Sequence, residues 1–148
     1  MPRTHDQDAQ VKDAQVKDAQ LFVYLSWKTQ AGLPILESDE IQQAAHLAIA
    51  HRARAQFSRI LAIGSTSREV HMVVRFPASL SVSIIARTSR VSAQQAISQL
   101  LGLYGQPAAT ASVWESDYTA HTLSREDADE ATAYLRARIT DANAARLP

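Results

Sequence analysis

The segment EVHMVVRF, residues 69–76, most constrains the fold because its polar and apolar side chains alternate. Successive side chains of a β-strand point to opposite faces of the sheet. One face of this strand therefore carries Val70, Met72, Val74 and Phe76. The opposite face carries Glu69, His71, Val73 and Arg75. The pattern predicts a sheet with one apolar face and one face on which a carboxylate lies beside an imidazole.

The rest of the chain predicts further strands and helices around this one. Strands are predicted at residues 21–27, 57–63, 69–76 and 112–123, from their apolar, β-branched and aromatic runs. Ser38 caps a helix that runs to about Arg54, and Ser124 opens the last helix. Caps at Ser81 and Ser92 predict two short helices in between. The order βαββααβα predicts an α+β fold, a ferredoxin-like antiparallel sheet covered by helices on one face.

Length and composition predict one domain. The chain has 148 residues, 46% of them hydrophobic, which suits a single core. We expect the domain at residues 21–142, after a disordered tail at residues 1–20 that repeats DAQVK and before a short tail at residues 143–148. The absence of cysteine excludes disulfides and thiolate metal sites. No apolar run is long enough for a membrane span or signal peptide, so a cytoplasmic protein without a membrane partner is expected.

Positive charge is concentrated in the middle of the chain. The net charge is zero, but residues 52–90 contain seven arginines and a single acid, Glu69. Such a segment suits contacts with phosphates, and Arg52, Arg54 and Arg59 are the candidates for DNA binding. The alternative is that these arginines form ordinary solvated faces.

Two groups of residues suggest chemistry, and each has a plainer interpretation. Glu69 and His71 are about 6.6 Å apart along a strand, close enough to bind one divalent cation, or to form a polar pair without one. Tyr134 lies on the last helix beside its apolar stripe. Its phenol can attack a phosphate when a cation is near, or can simply pack its ring and leave the hydroxyl in water.

Four segments, in order, resemble one protein family between residues 22 and 139. YLSWKTQAGLPIL resembles its first strand and turn, and TSREVHMVVRFP resembles the strand of its His-hydrophobic-His motif. LSVSIIARTS resembles the helix that follows. VWESDYTAHTLSREDADEATAYLRARI resembles the Trp-containing strand and the final helix that bears the nucleophilic tyrosine. The chain thus resembles the single-tyrosine HUH transposases, which are the insertion-sequence-200-like transposases.

The resemblance implies a homodimeric enzyme that binds single-stranded or hairpin DNA and cuts it through a 5′-phosphotyrosine link. It implies that Tyr134 is the nucleophile, often serving the partner subunit's site, and that His71 is the second histidine of the motif. Glu69 stands where the first histidine belongs, and Arg138 stands where the family often has a further polar ligand. Glutamate can bind magnesium or manganese, the cofactor expected if the site is active, whereas arginine cannot bind a cation but can contact phosphate.

These departures leave three functional hypotheses. The first is a DNA transposase-like protein that cleaves and rejoins strands. The second is a catalytically inactive, domesticated transposase that acts as a nucleic-acid-binding dimer. The third is a ferredoxin-like dimerisation module without a nucleic-acid partner, since a fold does not fix a function.

Overall fold

The computed structural model describes residues 19–102 and 112–146, with side chains as far as Arg138. The strands are β1 (Gln20–Thr29), β2 (Arg59–Ser65), β3 (Glu69–Pro77) and β4 (Trp114–Leu123). The helices are α1 (Asp39–Ala55), α2 (Val82–Leu100) and α3 (Arg125–Arg146), and a single 3-10 turn, Gln30–Gly32, follows β1. The repeat that forms most of the predicted N-terminal tail lies outside the described residues, so the domain limits stay a prediction.

The four strands form one antiparallel sheet in the order β2-β3-β1-β4. The predicted α+β fold class is confirmed, because this strand order with α1 and α2 as crossovers is the ferredoxin-like arrangement. The central strands are β1 and β3, in a register that pairs Ser26 with His71 and Lys28 with Glu69. Neighbouring strands thus position the two polar residues of β3.

The main core lies between the sheet and the pair of helices α1 and α2, which pack against each other. The apolar residues of β3 predicted to share a face are all buried there, as are Val23, Leu25 and Trp27 of β1. Trp27 meets Trp114 of β4 edge to face, with ring centroids 6.1 Å apart. The two tryptophans within the segments that resemble the transposase family therefore contribute to the core.

The prediction that helices cover one face of the sheet is wrong, because α3 packs on the opposite face. It covers a second apolar cluster in which Ala128 and Leu135 of α3 contact Val73 of β3 and Ala62 of β2. Val73, which shares a face with Glu69 and His71, is fully buried by this contact. Helix α3 packs on one end of this second face of the sheet, and Glu69 and His71 at the other end stay partly exposed.

The two short helices predicted after β3 are one continuous helix, α2. Ser81 caps it as expected, since its Oγ accepts a hydrogen bond from the backbone N of Ile84 at 3.2 Å. Ser92, however, lies inside the helix. No glycine or proline interrupts α2, and Ser89, Ala93 and Ile97 form one buried stripe across the predicted break. Burial along that stripe outweighs the local capping signal.

The other predicted caps are confirmed. Ser38 Oγ accepts from the backbone N of Ile41 at 3.1 Å, and Ser124 Oγ accepts from that of Asp127 at 3.1 Å. Within the described ranges, no helix combines the length and apolar character that crossing a membrane requires.

Candidate active site

His71 and Glu69 form a direct contact on the face of β3 that α3 partly covers. His71 Nε2 lies 3.1 Å from Glu69 Oε2, and His71 Nδ1 lies 2.9 Å from the hydroxyl of Tyr24 on β1. All three side chains are half-buried. The imidazole is therefore held from both of its nitrogens, by groups on two strands.

One assignment of protons satisfies both contacts of a neutral imidazole. The Nε2–H donates to the Glu69 carboxylate, and Nδ1 accepts from the Tyr24 hydroxyl. The result is a chain of hydrogen bonds from Tyr24 through His71 to Glu69. It fixes the orientation of the ring and points Nε2 toward the carboxylate.

The pair of donor atoms also fits a hard divalent cation. Adjacent ligands of an octahedral magnesium or manganese site are separated by about 3 Å, since each bond is about 2.1 Å long. His71 Nε2 and Glu69 Oε2 already have that separation, at 3.1 Å. Among the described residues no group of three His, Asp or Glu side chains is placed to hold an ion. A cation here would take two protein ligands and complete its shell with water or phosphate oxygens, as magnesium often does.

Tyr134 projects from α3 with its side chain 59% exposed. The neighbouring Leu135 is buried against the sheet, so the phenol lies at the edge of the helix's apolar stripe, as the sequence predicted. Arg138, one turn later, places its guanidinium carbon 5.7 Å from the centroid of the Tyr134 ring. A positive charge therefore accompanies the exposed phenol.

Tyr24 links the residues of α3 to the imidazole. Burial is the main cause that raises the pKa of Tyr24. Arg138 lowers that pKa, while Tyr134 and Glu69 raise it further. Each of these three groups therefore lies within electrostatic range of Tyr24. Tyr24 also packs against the apolar cluster that α3 covers, so α3, which carries Tyr134 and Arg138, lies on the same face of the sheet as the hydrogen-bonded His71 and Glu69.

A polar cleft of about 250 Å³ adjoins Glu69 on the side of β4. Ser26, Lys28 and Thr119 line it together with the carboxylates of Glu115 and Asp117. Lys28 Nζ is 4.0 Å from Glu69 Oε1, but both side chains are partly exposed, so this ion pair contributes little to stability. The cleft gives solvent and ligands a route to the Glu69 carboxylate.

The structure places the other predicted DNA-binding arginines elsewhere. Arg54 and Arg59 border a separate groove of about 470 Å³, and Arg52 is exposed near the end of α1. In the pairing of β2 with β3, Arg59 lies opposite Arg75, whereas Gly64 lies opposite His71. The arginine groove is thus several residues along the sheet from the imidazole, and Arg138 is the predicted DNA-binding residue that adjoins Tyr134.

Sequence reasoning missed Tyr24. The alternation of β1 places Tyr24, Ser26 and Lys28 on one face, which was a usable signal. Linking Tyr24 to His71 also requires the β1–β3 register, which the sequence does not specify.

Solved structures with this fold include two transposases. One is a crystal structure from Deinococcus radiodurans R1 assigned as a transposase, with a TM-score of 0.62 and 14% identity over 80% of this chain and 90% of that one. The other is a REP-associated tyrosine transposase bound to a REP hairpin, with a TM-score of 0.56 and 14% identity over 78% of this chain and 64% of that one. The sequence matches no protein-family model and no curated protein. At this level of identity the likeness shows a shared fold.

Proposed function

We propose that this chain, which has the transposase fold, binds single-stranded or hairpin DNA and cleaves and rejoins its strands through a 5′-phosphotyrosine on Tyr134. One observation carries the proposal. The exposed phenol of Tyr134 lies on the helix that packs on the face of the sheet where His71 and Glu69 contact each other. The hairpin carried by one structural neighbour supports the choice of partner.

The chemistry follows from the groups on that face. The Tyr134 oxygen attacks the phosphorus, and the bond from phosphorus to the 3′-oxygen breaks. The phenolic proton passes to solvent, and the departing 3′-oxygen takes up a proton from solvent. Reversal by another 3′-hydroxyl rejoins the strand and frees the tyrosine.

His71 and Glu69 are the residues that would hold a magnesium or manganese ion. A bound ion supplies a positive charge that polarises the scissile phosphate. In the tautomer that carries its proton on Nδ1, the imidazole would donate to the Tyr24 oxygen, and Nε2 would be free to hold such an ion. Arg138, beside the Tyr134 ring, attracts the phosphate to the nucleophile.

The test of this proposal is the covalent protein–DNA adduct. Incubating the protein with labelled hairpin-containing single strands and magnesium or manganese should give an adduct that survives denaturing electrophoresis. Tyr134→Phe should abolish it while leaving DNA affinity intact, because only the hydroxyl is lost. Tyr118→Phe is the matched control, since it removes a hydroxyl beside the cleft at Glu69 and leaves Tyr134 in place, so the adduct should remain.

A second candidate, an inactive nucleic-acid-binding dimer, is favoured by the two departures from the family pattern. Glu69 replaces a histidine, and Arg138 brings a positive charge where a ligand is often found. An active site of the proposed kind should lose its adduct in Glu69→Ala. The double substitution Glu69→His with Arg138→Gln restores the family pattern. If neither the wild type nor this variant forms an adduct on strands that both bind, the binding-only function is correct.

A further inference from the structure

Phe57, in the turn between α1 and β2, has an unusual backbone and an unusual exposure. Its φ is 57°, and its side chain is 88% exposed. The turn closes α1, with the backbone N of Phe57 donating to Arg54 O at 3.1 Å and that of Ser58 donating to Ala53 O at 2.8 Å. This is the Schellman arrangement, in which the left-handed position is usually glycine. A bulky aromatic residue there is strained.

Stability does not account for this residue. The left-handed backbone opposes folding, and exposure of the ring forgoes the free energy that its burial would give. Glycine at the same position would avoid both costs. Strained residues of this kind occur where a ligand or a functional surface requires the side chain.

The surroundings of Phe57 are basic. Arg54, Ser58 and Arg59 border the arginine groove of about 470 Å³. Arg59 also lies opposite Arg75 in the sheet, and like charges in that relation repel each other. Within the described part of the chain, neither Arg54 nor Arg59 forms an ion pair. The groove therefore has positive charge available for an anion, and the exposed ring of Phe57 precedes its lining residues Ser58 and Arg59 directly in the chain.

We infer that Phe57 is a stacking platform for an unpaired base of single-stranded nucleic acid whose phosphates bind Arg54 and Arg59. An aromatic ring beside a basic groove is the chemistry by which proteins bind single strands. Ala50 and Ile60 also line this groove, but its two arginines give it the positive charge that phosphates require. The inference rests on the proposed function for its ligand, and it places a second contact along the sheet from His71 and Tyr134.

Binding of a labelled oligo(dT) of about 16 nucleotides, measured by fluorescence anisotropy over a range of salt concentrations, tests the inference. Phe57→Gly and Phe57→Leu should each raise Kd by about fivefold or more, without changing the salt slope. Phe57→Gly should also raise Tm, because glycine accepts the left-handed backbone, so weaker binding cannot come from unfolding. Arg54→Ala should instead reduce the salt slope by about 0.7.

Two further variants complete the experiment. Leu47→Ala removes another exposed apolar side chain of α1, 64% exposed, and should leave Kd unchanged. Phe57→Trp should keep the affinity and introduce an exposed indole whose fluorescence the oligonucleotide quenches.

The outcomes separate this inference from the proposed function. If the wild type binds and Phe57→Gly has the same Kd, or if Phe57→Trp shows no quenching, the stacking role of Phe57 is wrong. DNA binding by the chain would still hold in either case. Absence of wild-type binding to oligo(dT) and to hairpin strands at low salt overturns both. A change of oligomeric state in Phe57→Gly at unchanged oligonucleotide affinity assigns the ring to a protein contact instead.

Discussion

His46 shows how a single buried side chain ties stability to pH. It lies on α1 with its Nε2 2.6 Å from the Ser65 hydroxyl at the end of β2, and burial lowers its pKa to about 4. The neutral imidazole shares a hydrogen bond with the hydroxyl, and protonation would place a charge at the boundary of helix and sheet. Its ordinary pKa is 6.5, so the unfolded chain takes up this proton more readily than the folded one.

Stability should therefore be complete above pH 6.5 and fall as the pH is lowered from 6.5 to about 4. The loss attributable to His46 should not exceed about 3 kcal/mol. Urea unfolding of the wild type and His46→Gln at a series of pH values measures it, since glutamine stays neutral and can still bond Ser65. The carboxylates titrate in both proteins, so the difference between them isolates His46. Parallel pH dependences of the two proteins would contradict this assignment.

At the scale of elements, α2 shows that burial along a stripe decides where a helix is interrupted. Ser81 and Ser92 carry the same local signal, yet the structure uses Ser81 as a cap and places Ser92 inside the helix. The difference lies in the buried stripe that passes through Ser89, Ala93 and Ile97.

Replacing the two serines should distinguish one helix from two. Ser81→Ala removes the acceptor for the backbone N of Ile84 and should lower the free energy of unfolding by about 1 kcal/mol. Ser92→Ala removes no cap and should be neutral or slightly stabilising, since alanine is the better helix former. Chemical denaturation of both variants is the measurement. Equal losses at the two positions would indicate a second helix start at Ser92.

At the scale of the whole molecule, the edge of the sheet motivates a homodimer. The edge strand β4 is ten residues long and largely exposed, and such an edge is commonly covered by another chain. We expect size-exclusion chromatography with light scattering to give twice the 16.2 kDa mass of the chain. A measured mass of 16.2 kDa, that of one chain, at high protein concentration would refute the dimer.

The same dimer allows a test of which subunit supplies the tyrosine. Because α3 packs on the face of its own chain's sheet that carries Tyr24 and His71, we expect each site to use its own Tyr134. The two single variants Tyr134→Phe and His71→Ala are mixed, unfolded and refolded together, so that mixed dimers form. If each site uses its own tyrosine, the mixture should give no adduct. An adduct from that mixture alone would show that α3 serves the partner subunit.

The sequence by itself located the four strands of the sheet and proposed Glu69, His71 and Tyr134 for the candidate site. The alternation of β3 separated Glu69 and His71 from the core residues, and the caps at Ser38, Ser81 and Ser124 located the starts of α1, α2 and α3. These signals are local, because the period of a strand and a capping hydrogen bond involve residues close together in the chain. The resemblance to HUH transposases predicted the fold that the structure has.

Tertiary structure decided what these residues contact. The register of β1 on β3 places Tyr24 in contact with His71. Helix α3 packs on the second face of the sheet because Val73 and Ala62 are apolar residues that face it there. The continuity of α2 and the strained backbone of Phe57 depend likewise on packing and on a helix end. Each of these outcomes sums burial and hydrogen bonding over residues distant in sequence, and a local pattern does not contain that sum.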